Sequence, residues 1–240
     1  MYRRMQTYYN SLNQLVGFPM RDWQPCLHPP HTPMQGRTCR LEPLNPERHA
    51  QSLYAANSAA TDDGDWTYLP YGPYDSLEAY TAWQQAVYLG KDPQFYAIID
   101  LASGEAVGVA SYLRINPKQG SIEVGHIHFS RQLQKTPIAT EAMYLMMKRA
   151  FDELGYRRYE WKCDALNAPS RAAAQRLGFS YEGTFRQALM YKGRNRDTAW
   201  FSILDTEWPQ LKAAYEGWLH PDNFDAQGQQ KMRLADWQAR

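Results

Sequence analysis

Apolar and polar positions alternate through Thr38–Pro43 and more strongly through three later runs, Phe95–Asp100, Ala106–Ile115 and Ser121–Phe129. Turn residues at Gly104 and Asn116–Gly120 divide the later runs into a three-stranded meander. Between the first strand and the meander, Pro46–Ala60 has helical spacing with Asn45 as N-cap, and Asp75 or Ser76 caps a second helix reaching Leu89. From Thr140 to Leu154 apolar residues recur at Ala142, Leu145, Met146, Ala150 and Leu154, the period of an amphipathic helix, and Gly155 ends it. A strand at Tyr159–Asp164, a helix at Pro169–Leu177 and a strand at Phe179–Phe185 follow. Leu189–Lys192 and Asp197–Leu204 form a closing hairpin around Gly193-Arg194-Asn195, and Trp208–Leu219 is a C-terminal helix with a polar tail. In the first 36 residues, Pro25, Pro29, Pro30 and Pro33 break any long element, which leaves a short helix around Met5–Leu15 and then an extended arm. The chain thus divides into an arm (1–36), a main domain (37–208) and a C-terminal helix with tail (209–240). Its element order predicts a mixed α/β fold with a parallel pair only where a helix separates two strands.

Composition narrows the function classes. The chain has 240 residues, 44% hydrophobic and 21% charged, enough to bury a core without disulfides. Its 26 basic and 25 acidic residues nearly cancel, which argues against a dedicated nucleic-acid or membrane-surface protein. Cys26, Cys39 and Cys163 lie far apart without metal spacing, so reduced thiols and no metal site are expected. Arg3 and Arg4 are followed by no apolar leader core, and no run of 18 apolar residues occurs, so a soluble cytoplasmic protein is expected.

The chemistry concentrates in Phe129–Met146, where a strand ends, a short loop follows and a long helix begins. Such a junction aims backbone N–H groups and the positive end of a helix dipole at one place, which suits a phosphate or pyrophosphate. The loop Gln134-Lys135-Thr136-Pro137-Ile138-Ala139, followed by Thr140-Glu141-Ala142, resembles the Gln/Arg-x-x-Gly-x-Gly/Ala loop of the GNAT superfamily, with Pro137 where the first Gly belongs. Asp164-Ala-Leu-Asn167-Ala-Pro-Ser170 through Leu177-Gly178-Phe179 is similar to a second family block. The run from Glu182-Gly183 through Arg186, Arg196-Asp197 and Ser202-Ile-Leu is similar to the ending of RimJ/RimL-type members. This resemblance covers about Thr38 to Trp208 and implies a GNAT fold, a single mixed central sheet of about six to seven strands flanked by helices.

The resemblance also implies acetyl-CoA as co-substrate. Its contacts would be backbone groups around Ile127 and Phe129, the loop residues Gln134, Lys135, Thr136, Ile138, Ala139 and Thr140, and Asn167 with Ser170. The bland reading of Asn167 and Ser170 is a helix N-cap, and both readings can hold together. Acyl transfer to an amine needs a base and an oxyanion donor. Glu123 is the first candidate base, then His128 and His126, which strict alternation puts on the opposite face unless a bulge intervenes. The family's leaving-group tyrosine has Ala174 in its slot, so the acid is unassigned, with Ser170 or water in its place. Trp66, Tyr68 and Tyr71, with Tyr74, form an aromatic loop suited to an acceptor wall, and Asp62, Asp63 and Asp65 would attract a cationic acceptor. The implied function is transfer of an acetyl group to a primary amine, on a small molecule or a protein N-terminus, by direct attack in a ternary complex. Its alternatives are a CoA-binding module without turnover, or a transferase of another acyl group. No nucleic-acid or membrane partner is expected, and a homodimer is open.

Overall fold

The computed structural model describes residues 7–240. Its framework is an eight-stranded sheet in the order β3-β4-β5-β6-β7-β8-β10-β9, so the expected mixed sheet is present with more strands than anticipated. The strands are β3 (Met34–Gln35), β4 (Cys39–Pro43), β5 (Gln94–Asp100), β6 (Ala106–Asn116), β7 (Ser121–Phe129), β8 (Arg158–Asp164), β9 (Ser180–Tyr191) and β10 (Arg194–Leu204). Only β7 and β8 run parallel, joined by the helix α3 (Pro137–Lys148). A parallel pair needs such a crossover, whereas the antiparallel neighbours close through turns.

Two apolar cores hold the sheet. On one face, α1 (Pro46–Ser58) and α2 (Leu77–Val87) cover Leu44, Leu53, Tyr80, Phe95, Ile99 and Val109. Asn45 accepts from the Arg48 N–H and Ser76 from the Ala79 N–H, so each helix starts where a side-chain oxygen satisfies a free amide. On the other face, α3 and α5 (Trp208–Leu219) bury Tyr96, Tyr112, Ile122, Met146, Tyr159, Phe201 and Tyr215.

Several expected boundaries shift for physical reasons. The helix expected from Thr140 begins at Pro137, because Thr136 serves as its N-cap and proline is pre-shaped for the first helical position. It ends at Lys148 and passes into a π-helical turn, Arg149–Glu153. The two segments expected at Phe179–Phe185 and Leu189–Lys192 are one strand, β9, bent by bulges opposite β10. Around Met5–Leu15 the expected helix is replaced by a hairpin, β1 (Tyr8–Tyr9) with β2 (Leu15–Val16), while Met5 and Gln6 fall outside the described residues. Asn10 makes that turn, since its Oδ1 accepts from the Leu12 and Gln14 amides, and Asn13 takes a φ of +58°. The polar tail is also folded: Asn223 donates to the Trp218 and Met232 carbonyls, and α6 (Leu234–Gln238) packs Trp237 on Gly217, where a Cβ would meet the ring at 2.5 Å.

The arm between Trp23 and Gln35 is a strap laid on the domain. Gln94 donates to the Pro29 carbonyl, Tyr96 to Pro30, and the buried Arg149 to Thr32 (2.7 Å) and Pro33 (2.8 Å). No helix among the described residues is long and apolar enough to cross a membrane.

Candidate active site

The site begins with one extra residue in β7. The register pairs Ser111 with Gly125 and Val109 with His128, so Ala110 alone faces both His126 and Ile127. His126 absorbs the surplus at φ +50°, a bulge conformation that re-aims the side chains after it. Cross-strand partners share a face, and Val109, Ser111 and Leu113 alternate onto the α1/α2 side. Their partners His128, Gly125 and Glu123 therefore lie there together. The bulge resets the alternation that would have separated Glu123 from His128.

Each of the three side chains has a distinct environment. His128 is buried and stacks on Trp66 with ring centroids 3.8 Å apart. Burial pulls its pKa down to about 4, and its Nε2 has no hydrogen-bond partner among the described residues. His126 stacks on Tyr71, whose hydroxyl lies 3.2 Å from Nδ1. Burial first, then the nearby Arg114 and Arg196, lowers its pKa to about 4 as well. Both rings are neutral near pH 7. Burial holds Glu123 above the usual carboxylate range, against the pull of Lys162 (2.9 Å) and Arg114 (2.7 Å). Lys162 also reaches Glu160 at 2.7 Å and lies 3.6 Å from the Trp200 ring centroid, and Arg158 links Glu160 to Glu182. Glu123 is thus one rung in a ladder of alternating charge that crosses β7, β8 and β9.

Next to these residues the sheet opens. β7 pairs with β8 only from Ser121–Val124 to Arg158–Trp161, while β8 continues against β10 as far as Asp164. Beyond Val124 the edge of β7 faces a gap. The Ser130 N–H turns back to Val107 (3.2 Å), so alternation directs the Phe129 amide and carbonyl into that gap. Gln134 Nε2 caps the Phe129 carbonyl at 2.9 Å and touches Asp65 at 3.1 Å, so this side chain braces the loop.

The α3 N-terminus closes one side of the gap. Lys135 turns the chain at φ +61°, Thr136 Oγ1 accepts from the Ala139 N–H (3.3 Å), and Pro137 fills the first helical position. Of the first-turn amides, Ala139 is capped, proline has none, and Ile138 keeps its N–H for an outside acceptor. Thr140 is different: its buried hydroxyl accepts from Arg176 at 3.1 Å. On the opposite side stands α4 (Ala168–Arg176). Asn167 caps it by accepting from the Ser170 N–H (3.1 Å), and Ser170 Oγ accepts from Trp161 Nε1 (3.0 Å).

The aromatic loop spans the top. Tyr68 donates to the Leu166 carbonyl (3.1 Å), Lys192 to Trp66 (2.8 Å), and Arg194 to Thr67 (3.1 Å). Arg131 binds Asp62 (3.0 Å) and Asp65 (2.8 Å), so its single positive charge offsets one of these two carboxylates. Trp66 is buried between His128 and Gly72, where a Cβ would meet its ring at 2.3 Å, and Tyr71 sits behind His126. Sequence reasoning passed over Lys162, Arg114, Arg131, Lys192 and Arg194. The alternation Arg158, Glu160, Lys162 was a readable signal for the ladder; the cations on the aromatic loop come from segments too distant to pair by inspection. Among the described residues no cluster of His, Cys, Asp and Glu fits a metal ion.

Comparison with known proteins gives a consistent result. Residues 39–180 match the family model described as an acetyltransferase (GNAT) domain. The crystal structure of a GCN5-related N-acetyltransferase from Brucella melitensis superimposes with a TM-score of 0.90 at 46% identity, covering 92% of this chain and 100% of that one. A Chromobacterium violaceum structure, described as "probable acetyltransferases (GNAT family)", gives a TM-score of 0.75 at 41% identity over 81% of this chain and 96% of that one. A curated relative in Bacillus subtilis (strain 168), named "Putative ribosomal N-acetyltransferase YdaF", is 29% identical over 108 residues, 45% of this chain. The match spans 58% of that relative's length.

Proposed function

The chain belongs to the GNAT acetyltransferase family, and from this premise we propose that it moves an acetyl group from acetyl-CoA to a primary amine, with a protein N-terminus as first acceptor class and a small amine as second. The observation that carries the reading is the divergence of β7 from β8 beside the α3 N-terminus. It leaves a slot flanked by backbone donors, and the groups present suit the donor molecule. Acetyl-CoA, when bound, supplies an acyl thioester as electrophile. The Ile138 amide, the positive end of α3 and the Lys135 ammonium suit its pyrophosphate, and Asn167, with Oδ1 committed to the cap, keeps its amide hydrogens for the pantetheine arm.

At the reacting carbon, the Phe129 amide is the donor aimed where negative charge develops. His126 is the base of this reading, because it is neutral and only half-buried, whereas Glu123 is tied to two cations and His128 lies under Trp66. Ser170 borders the slot and has a hydroxyl to offer the departing thiolate. The name of the Bacillus subtilis relative, a ribosomal N-acetyltransferase, favours a ribosomal acceptor over a free small amine.

Acetyl-CoA titration followed by calorimetry and thermal shift, with Asn167→Ala alongside, tests the donor half. Thiol release with N-terminal peptides and a panel of amines tests the acceptor half. Binding weakened in Asn167→Ala, together with release lost in His126→Ala, is expected. Absence of both binding and release would sink the proposal. A second reading, a CoA-binding module without turnover, is favoured by Ala174 in the slot of the usual acid; binding without release would select it. Competition among acyl-CoAs distinguishes an acetyl donor from a larger acyl donor.

A further inference from the structure

The third sequence block supplies a cation that the proposed transfer does not use. Arg196 begins the Arg196-Asp197 pair on β10. Ala199, Phe201 and Ile203 of that strand are buried in the core shared with α3 and α4, so Arg196, Thr198 and Trp200 alternate onto the opposite face. There Trp200 meets Lys162 of the charge ladder. Arg196 lies close enough to His126 for its positive charge to help keep that ring neutral. It therefore stands on the side of the sheet that carries the candidate base, away from the helices that frame the donor slot.

A cation drawn partly out of water is ordinarily paired. Arg114, Arg131 and Arg158 each hold a carboxylate, at 2.7, 2.8 and 2.6 Å. The half-buried Arg196 differs: among the described residues its guanidinium makes no hydrogen bond or ion pair, and its Nε is buried without a partner. Beside it Thr198, 4% exposed, has a buried Oγ1 that is also unpartnered. Asp164, cross-strand from Thr198, is already committed. Its Oδ1 accepts from the Leu166 amide and its Oδ2 from the Tyr191 hydroxyl, both at 2.8 Å. Arg196 and Thr198 thus present N–H and O–H donors on one face with no acceptor in the chain. A carboxylate, planar and with two oxygens, satisfies both. The stacked rings of Phe185 and Trp200, 4.6 Å apart, flank this pair with apolar surface, which suits the carbon skeleton between an amine and its carboxylate.

Resting on the acyl-transfer reading, we propose that Arg196 and Thr198 bind a carboxylate of the acceptor, and that the preferred acceptor is a peptide with an acidic side chain next to its free N-terminus. Peptides identical except for Glu, Gln or Lys at the second and third residues are titrated by calorimetry into protein saturated with CoA. The same peptides are assayed separately for thiol release from acetyl-CoA. The Glu peptide is expected to bind about tenfold more tightly than the Gln peptide and to lead in kcat/KM by a similar factor. Arg196→Lys is expected to keep part of that ratio and Arg196→Met to abolish it. Arg196→Glu should move the preference to the Lys peptide, a gain that misfolding cannot produce. β-Alanine against its neutral amide separates the two sources of a carboxylate: an acid preference confined to that pair upholds the anion site and assigns it to a small acceptor. Acid-selective binding without release upholds the site and removes the transfer reading. Release at equal rates from the Glu and Gln peptides, or a ratio that survives Arg196→Met, overturns the proposal and leaves transfer standing. A wild-type preference for the Lys peptide, which the acids of the aromatic loop would favour, overturns it as well, as does the absence of any acid-selective binding.

Discussion

At the scale of single residues, three groups separate structure from chemistry. Glu141 lies in the Thr140-Glu141-Ala142 run that suggested a helix start, and its buried carboxylate accepts from the amides of Arg37 (2.8 Å), Thr38 (2.7 Å) and Cys39 (3.1 Å) and from the Thr38 hydroxyl. It joins the β3–β4 turn to α3. Glu141→Gln turns an amide group against those donors and is expected to destabilise the fold by about 2–4 kcal/mol, read as a lower denaturant midpoint at constant m-value. His126 and His128 make the pH prediction. Their folded pKa values, about 4, lie below the ordinary value of 6.5. The unfolded state therefore binds protons first as pH falls, and stability that is complete above pH 6.5 is lost progressively down to pH 4. A melting temperature that falls over that interval, with a shallower slope in His128→Phe, is expected. The same values remove any inflection near 6.5 from kcat/KM. The rate is expected to rise instead with deprotonation of the acceptor, about pH 8 for an α-amine. A limb that moves with the acceptor's own pKa checks this.

At the scale of elements, the loop before α3 shows what a sequence can and cannot carry. The period of α3 and the meander were legible because one face of each is buried and repeats. The role of Pro137 was not, because its cost depends on which helical position it occupies. At the first position of α3 it removes one donor from a turn that has several and fixes φ where the helix needs it. Pro137→Gly is expected to lower stability by about 1 kcal/mol or less while changing acetyl-CoA affinity less than tenfold; a larger loss would mean that the proline ring itself shapes the phosphate site. The bulge in β7 was equally hidden. A strand written Glu123-Val-Gly-His-Ile-His128 alternates perfectly on paper, and only the partner strand, one residue shorter between pairings, reveals that Glu123 and His128 face one way. Register belongs to pairs of strands, so a single strand cannot state it. For the same reason Asp62 and Asp65 read as free acids until Arg131, nearly seventy positions away, came into contact.

At the scale of the whole molecule, the cores on the two faces of the sheet account for the domain, and the strap accounts for its first segment. The proline pattern correctly excluded a long element there but gave no anchor. The anchor is Arg149, a buried guanidinium at the π-helical turn that holds Thr32 and Pro33 and pairs with Glu153 at 3.2 Å. Those carbonyls have no ladder to satisfy them, so the cation substitutes for a strand partner. Arg149→Met keeps the alkyl packing and removes the donors, leaving buried carbonyls unpaired, at an expected cost of about 3 kcal/mol. The loss should be local as well as global. Amide exchange at residues 26–35 is expected to accelerate ahead of the β6–β7 pair, whose own bonds do not involve the strap. Acetyl-CoA affinity should hold, because the slot beside α3 is framed by β7, β8 and α4. If exchange instead accelerates uniformly, or the affinity drops with it, the strap and the slot form one cooperative unit and this division is wrong.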